Sequence, residues 1–510
     1  MRISSITNLL FLAAILLLSS CLNKQEKSDA ENKFGKQPNI VYILADDLGY
    51  GDVSALNPDS KIKTPNIDKL SEDGMTFRDA HSSSAVCTPT RYGILTGQYN
   101  WRSRIKQGVL LGYSPSLIEE TTPTIAKFLQ KQGYTTACIG KWHLGIDFKL
   151  KDGSYIEGKP GVDFTWDLIG FNQPEKIDFS QPAKGGPKGA GFDYSYVLPA
   201  SLDFEPYMYL ENNLAVEAPT DSTPGNDLNA IPWATGAFWR KGGMAPSFNF
   251  EQVLPTFTAK AIDFIAKQKN AEKPFFLYFP MNSPHTPWLP TDEFKGSSQA
   301  GLYGDFVQMT DAQVGKILQS LKDNGLDQNS LVVFTSDNGA YWKPELIEKF
   351  NHQANSIFRG MKGDVWDGGH HIPFIVHWPG KVKAGSTDKT ISLTDFFATV
   401  QNIFDSEEPK ARDSFSFLSI LTGEESAYSR PPVIHHSSSG KFAIRQGEWK
   451  MIEGLGSGGF TEPKSPAPNE GEPDGQLYNM IKDPQEKENL YLTEPEKVKE
   501  LKVLLENIRK

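Results

Sequence analysis

Residues 39–47, Asn-Ile-Val-Tyr-Ile-Leu-Ala-Asp-Asp, decide how this chain folds. Residues 40–45 are continuously apolar with no alternation, the pattern of a strand buried on both faces of a sheet. Asp46 and Asp47 then stand side by side at the strand's end and repel one another. A hard cation such as Ca²⁺ or Mg²⁺ between them would remove the repulsion. The other reading has one carboxylate capping the following turn and the other in water. The same pattern returns three times. Residues 135–139 run into Gly140-Lys141-Trp142-His143, residues 274–280 lead to Ser283-Pro284-His285, and residues 331–335 run into Ser336-Asp337-Asn338-Gly339. Helical segments fill the gaps: one opened by Thr64-Pro65, one from Thr122-Pro123 to Gly133, then residues 252–267, and residues 304–324 stopped by Gly325. Apolar strands joined by helices, each ending in polar groups, predict a doubly wound α/β sheet. Its ligand site lies beyond the strand C-termini, where one pocket collects all four sets.

Residues 81–101, HSSSAVCTPTRYGILTGQYNW, supply the chemistry. Cys87, Pro89 and Arg91 stand at C-x-P-x-R spacing, and the run after Pro89 reads as helix until Gly97. The thiol is therefore expected at a helix N-terminus, which favours anions. Arg91, one turn on, shares its face. These residues describe an anion-handling nucleophile; for the pentapeptide alone, a small packed cysteine is the competing reading.

Cys87-Thr88-Pro89-Thr90-Arg91 followed by Leu95-Thr96-Gly97 resembles the signature of the type I sulfatases. The resemblance runs in order from Asn39 to about Leu490, through Asp46-Asp47, Gly140-Lys141-Trp142-His143, Ser283-Pro284-His285, Asp337-Asn338-Gly339 and Lys362-Gly363. It implies an alkaline-phosphatase-like α/β fold: a large mixed sheet flanked by helices, with a smaller C-terminal α+β subdomain carrying a short antiparallel sheet. It also implies that a maturation enzyme oxidises Cys87 to formylglycine, whose hydrate attacks sulfur, and that Asp46, Asp47, Asp337 and Asn338 hold one Ca²⁺. By the same resemblance Arg91 fixes the nucleophile, Lys141 and His143 orient the hydrate, and His285 and Lys362 serve the leaving oxygen. The expected reaction is hydrolysis of a sulfate monoester on a carbohydrate. The alternatives are a phosphatase or phosphonate hydrolase of the same superfamily, and a silent glycan-binding lipoprotein that keeps Cys87 unmodified. Gly368-Gly369-His370-His371-Ile372-Pro373 departs from the pattern, since many relatives carry arginine where His371 stands; His371 is thus a candidate substrate contact.

The 510 residues carry 52 basic and 62 acidic side chains, a net charge of -10. That balance argues against nucleic acid or an anionic membrane as partner and requires any anion site to be local. The three cysteines, Cys21, Cys87 and Cys138, exclude a disulfide framework. Residues 1–20 read as a signal peptide, and Leu18-Ser19-Ser20-Cys21 resembles the lipobox of bacterial lipoproteins. Cys21 would then carry lipid, the only membrane attachment, and residues 21–36 would tether an enzyme of the cell envelope. The catalytic domain is expected over 37–412 and the C-terminal subdomain over 413–510. Residues 145–250, rich in Gly, Pro and aromatics, read as a surface insertion of the kind that carries specificity. Trp239 and Arg240 in it suit a sulfated sugar. Short strands at 433–436, 441–445 and 449–452 precede a loop at 454–475 and a terminal helix at 494–509, and His435 and His436 are further candidate substrate contacts.

Overall fold

The computed structural model describes residues 34–158, 173–226, 236 and 238–510. The signal peptide, Cys21 and most of the tether lie outside the described residues.

Ten strands form one sheet in the order Gly385–Thr387, Met75–Phe77, Phe374–His377, Ser330–Ser336, Asn39–Asp46, Phe275–Pro284, Thr135–Lys141, Tyr194–Leu198, Leu210–Glu211 and Leu214–Ala215. The five strands from Ser330–Ser336 to Tyr194–Leu198 run parallel, so their C-terminal ends share one edge. Phe374–His377 pairs antiparallel to Ser330–Ser336, which makes the sheet mixed. The opening stretch is the centre of this sheet: Tyr42 lies opposite Tyr278 on one side and Val333 on the other. Ile40 to Ala45 are completely buried, as an unbroken apolar run between two covering layers requires.

Helices Val253–Lys267 and Gly301–Asp323 pack on one another and on the neighbouring strand Phe275–Pro284. Helix Pro65–Asp73 begins on its proline, as expected. Helix Ile125–Lys131 starts after Thr124, whose hydroxyl accepts from the Lys127 N–H, and so begins later than Thr122-Pro123 suggested. Residues 145–250 are more than a surface insertion, because three of their strands extend the main sheet. Tyr194–Leu198 has a serine between its tyrosines, which broke the apolar run that marks the other parallel strands.

The C-terminal sheet has four antiparallel strands, Val433–His436, Phe442–Gln446, Trp449–Glu453 and Gly475–Asn479, the last of which follows the expected loop and adds to the three strands expected from sequence. Helix Pro495–Arg509 closes it through Leu501 and Leu505, in one apolar cluster with Ile434, Ile444, Met451, Tyr99 and Trp101. Tyr99 and Trp101 follow directly on the Cys87 helix, and the Ala85 N–H donates to the His436 carbonyl at 2.9 Å. The small sheet therefore buttresses the segment that presents Cys87. Phe417, Leu418, Ile420 and Leu421 belong to the main core.

Candidate active site

Each parallel strand delivers its polar end to one place. A register break between Leu44 and Asp46 turns the first strand's end, and Asp47 is held at φ 63°, aiming the two carboxylates in different directions. Gly140 lets the next strand approach: a Cβ there would stand 1.9 Å from the Pro280 carbonyl oxygen. The Cys87–Thr96 helix begins on the cysteine and ends at Gly97, whose φ is 63° and whose N–H donates to the Gly93 carbonyl. Both ends match the expectation from sequence.

Asp46, Asp47, Cys87 and His285 offer ligand atoms within 4.8 Å of one another. Lys141 Nζ donates to both Asp46 oxygens, at 2.9 and 2.7 Å, and lies 3.5 Å from Cys87 Sγ. Lys362 Nζ donates to Asp47 Oδ2 at 2.7 Å, and His285 Nε2 is 3.6 Å from the same oxygen. Arg91 binds Asp337 Oδ2 through Nε at 3.0 Å and Nη2 at 2.8 Å, with Nη1 on the Lys141 carbonyl. Its cation is thus held by carboxylates behind the thiol, not by the thiol. Asp337 Oδ1 accepts the Asp47 N–H at 3.1 Å, and Asn338 Nδ2 donates to Asp47 Oδ1 at 2.7 Å.

The environment sorts these groups. Burial works against the charge on Asp46, but Lys141, His285, Arg91 and Lys362 outweigh it and hold the carboxyl well below its usual range. Asp337 goes the other way: burial raises it despite Arg91. Burial, with Asp337 close by, pushes the Cys87 thiol far up, so the unmodified cysteine is not an activated nucleophile. Burial lowers His143 well below its usual value, helped by Lys141 and Arg91. Its Nε2–H donates to the Leu110 carbonyl at 2.8 Å, which leaves Nδ1 as a buried acceptor without a partner.

Three carboxylates, Asp46, Asp47 and Asp337, face three cations, Arg91, Lys141 and Lys362. An anionic ester entering this balanced set needs further positive charge. Asn338 Oδ1 is buried and without a donor beside the carboxylates, an acceptor of the kind a hard cation uses. The donor set therefore fits Ca²⁺.

The remaining expected contacts are each held by neighbours of their own. Trp239 donates from Nε1 to Thr223 and packs on Phe250, inside the insertion. Arg240 is partly exposed, stacked on Phe204. His371 is stacked on Phe358 at 3.8 Å and donates to the Arg78 carbonyl at 2.7 Å. His435 and His436 are completely buried where the two sheets meet, His435 against His370 and His436 on Asn100, so neither faces the cluster at Cys87. A paired-histidine motif in a short strand could not reveal that its sheet lies against the main domain.

That junction makes a prediction. Burial pushes His436 down to about 4, and also lowers His81, His370 and His435. A histidine with a depressed folded-state pKa binds fewer protons folded than unfolded. Its contribution is intact above about pH 6.5 and is lost as pH falls toward 4, about 3 kcal/mol for His436 alone. The thermal midpoint should drop over that interval, and His436→Gln, which cannot titrate, should shrink the drop; an identical pH profile for the variant would refute the assignment.

Residues missed in the sequence are Ser201 and Asp203. They follow the strand Tyr194–Leu198 at the edge where the other polar ends gather, and Ser201 Oγ lies 3.4 Å from His285 Nδ1. The strand-end rule would have found them had the strand been recognised.

Comparison with known proteins agrees with this geometry. The Sulfatase family profile matches residues 38–406. The chain is 33% identical to an N-acetylgalactosamine-6-O-sulfatase of Bacteroides thetaiotaomicron over 98% of both proteins, and 29% identical to human arylsulfatase D over 86% of this chain and 76% of that one. A solved structure from work on the metabolism of multiple glycosaminoglycans by Bacteroides thetaiotaomicron superposes with a TM-score of 0.78 at 31% identity, covering 93% of this chain and all of that one. The alkaline-phosphatase-like sheet, the polar cluster and these relatives agree on a sulfuric ester hydrolase. The chain belongs to the sulfatase family.

Proposed function

We propose that the protein removes sulfate from a sugar at a chain end or in a short oligosaccharide, with Cys87 oxidised to formylglycine and one Ca²⁺ held by Asp46, Asp47, Asp337 and Asn338. The observation that carries this reading is the position of Cys87: it opens a helix among charged side chains, yet burial leaves it unactivated as a thiol. When present, the formylglycine hydrate supplies the hydroxyl that attacks sulfur and the calcium neutralises sulfate oxygens.

The chain's own residues do the rest. Lys141, against both Asp46 and Cys87, holds the nucleophile's oxygen and the sulfate on one side. Arg91 is locked behind it by Asp337. Lys362 and His285, both on Asp47 Oδ2, are the least enclosed members of the set and stand where the sugar must leave. The His285 Nδ1–H donates to the Thr286 carbonyl, so in the imidazolium the Nε2–H is the proton available to the leaving oxygen. His143, neutral with its Nδ1 open, can take the proton from the hydroxyl whose oxygen then expels sulfate.

The name of the bacterial relative makes 6-sulfated N-acetylgalactosamine the first substrate to test, within a panel of sulfated mono- and oligosaccharides assayed for released sulfate. With a net charge of -10 there is no general attraction for a polyanion. Di- to tetrasaccharides should therefore be turned over at least as well as the parent polymer, with a shallow dependence on ionic strength. Strong preference for the polymer, weakening steeply with salt, would point to a basic groove and against this reading. Cys21 is proposed as the first mature residue, lipid-modified in a bacterial envelope; labelled fatty acid should enter the wild type and not Cys21→Ala.

A further inference from the structure

The segment after strand Tyr194–Leu198 leaves the sheet at the same edge as Lys141 and His143. The Trp142 and His143 N–H groups donate to the carbonyls of Leu198 and Pro199, at 3.0 and 3.1 Å. Four residues on stands Asp203, 5% exposed, a fourth buried carboxylate beside the sulfate centre. Its Oδ2 accepts from Arg240 Nη1 at 2.5 Å, and Nη1 also reaches its backbone carbonyl. Its Oδ1 is buried and meets no hydrogen-bond donor in good geometry. Burial opposes the charge, but His285, Arg240, the Ser201 hydroxyl and Lys141 together lower the pKa, so the carboxylate is an acceptor only.

Arg240 is the exposed half of the pair. Its side chain is 42% exposed, and its guanidinium lies 4.1 Å over the Phe204 ring and 4.9 Å over that of Phe238. Phe204 in turn stands 6.1 Å from the His143 ring. Among the described residues Nε and Nη2 of Arg240 donate to nothing. A planar cation fixed by an aromatic shelf and a carboxylate keeps its remaining N–H edge pre-aimed. A buried carboxylate oxygen without a donor is costly, and the cost is recovered if the donor arrives with the ligand. Sulfate cannot be that partner, because two anions would meet; a hydroxyl can.

Resting on the carbohydrate reading above, we propose that Asp203 and Arg240 form a sugar-reading pair for the ring that bears the sulfate ester. Asp203 accepts a ring hydroxyl through Oδ1, and Arg240 donates to a neighbouring ring oxygen through its free edge. The pair makes the site selective for polyhydroxylated sulfate esters over aryl sulfates, which carry no such hydroxyls.

The experiment compares kcat/KM for a sulfated monosaccharide, its deoxy analogues and an aryl sulfate, in wild type, Asp203→Asn and Arg240→Ala. Both variants should lower the ratio of sugar to aryl turnover by about 10- to 100-fold, the effect of losing a hydrogen bond to a charged group. One deoxy analogue should suffer a similar loss in wild type and little further loss in Asp203→Asn. Equal falls on sugar and aryl substrates would mean the pair acts through His285 and would overturn the proposal, as would unchanged ratios. If Asp203→Asn does not fold, the exposed Arg240→Ala and the deoxy series in wild type decide alone. Wild type that hydrolyses the aryl sulfate but no sulfated sugar would instead overturn the carbohydrate reading beneath it.

Discussion

Cys87→Ala is expected to lose at least about four orders of magnitude in sulfate release while keeping its fold. The side chain is buried but small, and its sulfur contacts charged groups, Asp46 Oδ1 and Lys141 Nζ both at 3.5 Å, rather than apolar packing. Its removal should cost about 1 kcal/mol of stability. A cysteine that merely packed would show the reverse, a measurable stability loss with normal turnover. Mass spectrometry of the peptide containing Cys87 adds an independent readout. Protein made in a host with the maturing enzyme should carry formylglycine, and turnover should scale with the modified fraction. Full activity in protein carrying only the thiol would overturn the mechanism, since burial holds that thiol protonated.

The second large effect concerns calcium. Asp337→Ala should lose both bound metal and activity, but it also strips the fully buried Arg91 of its principal carboxylate. Removing one partner of a buried ion pair costs about 3–5 kcal/mol, and Asp46 at 3.4 Å is the one carboxylate that would remain on Arg91, so that variant alone does not separate metal loss from misfolding. Asn338→Ala separates the two causes. It removes the buried Oδ1 that has no protein partner, and the one side-chain bond lost to Asp47 leaves that carboxylate still on Lys362. The variant should fold, bind calcium at least about 10-fold more weakly by calorimetric titration, and regain part of its turnover when calcium is raised. Unchanged calcium affinity in folded Asn338→Ala would remove Asn338 from the ligand set. Retention of both calcium and activity in Asp337→Ala would remove Asp337.

The reach of the sequence is clearest at its central strands. Residues 40–45 show by composition alone that they are buried on both faces, and the strands at 135, 275 and 330 repeat the signal because parallel neighbours share one environment. Cys87 at a helix start was equally legible, since Gly97 and the C-x-P-x-R spacing are local. Tyr194–Leu198 escaped, its serine hiding a strand that is almost wholly buried, and with it went Ser201 and Asp203. Pairing was decided only in three dimensions. Lys141 takes Asp46 across 95 residues and Lys362 takes Asp47 across 315, while Arg91 settles on Asp337. His435 and His436, adjacent polar residues in a short strand, became interior because the main domain covers them. Periodicity, capping and strand ends are properties of neighbours along the chain, so the sequence determined the elements and the chemistry each carries. Which cation meets which carboxylate depends on strand order and on which layer covers which face, and long-range packing sets both.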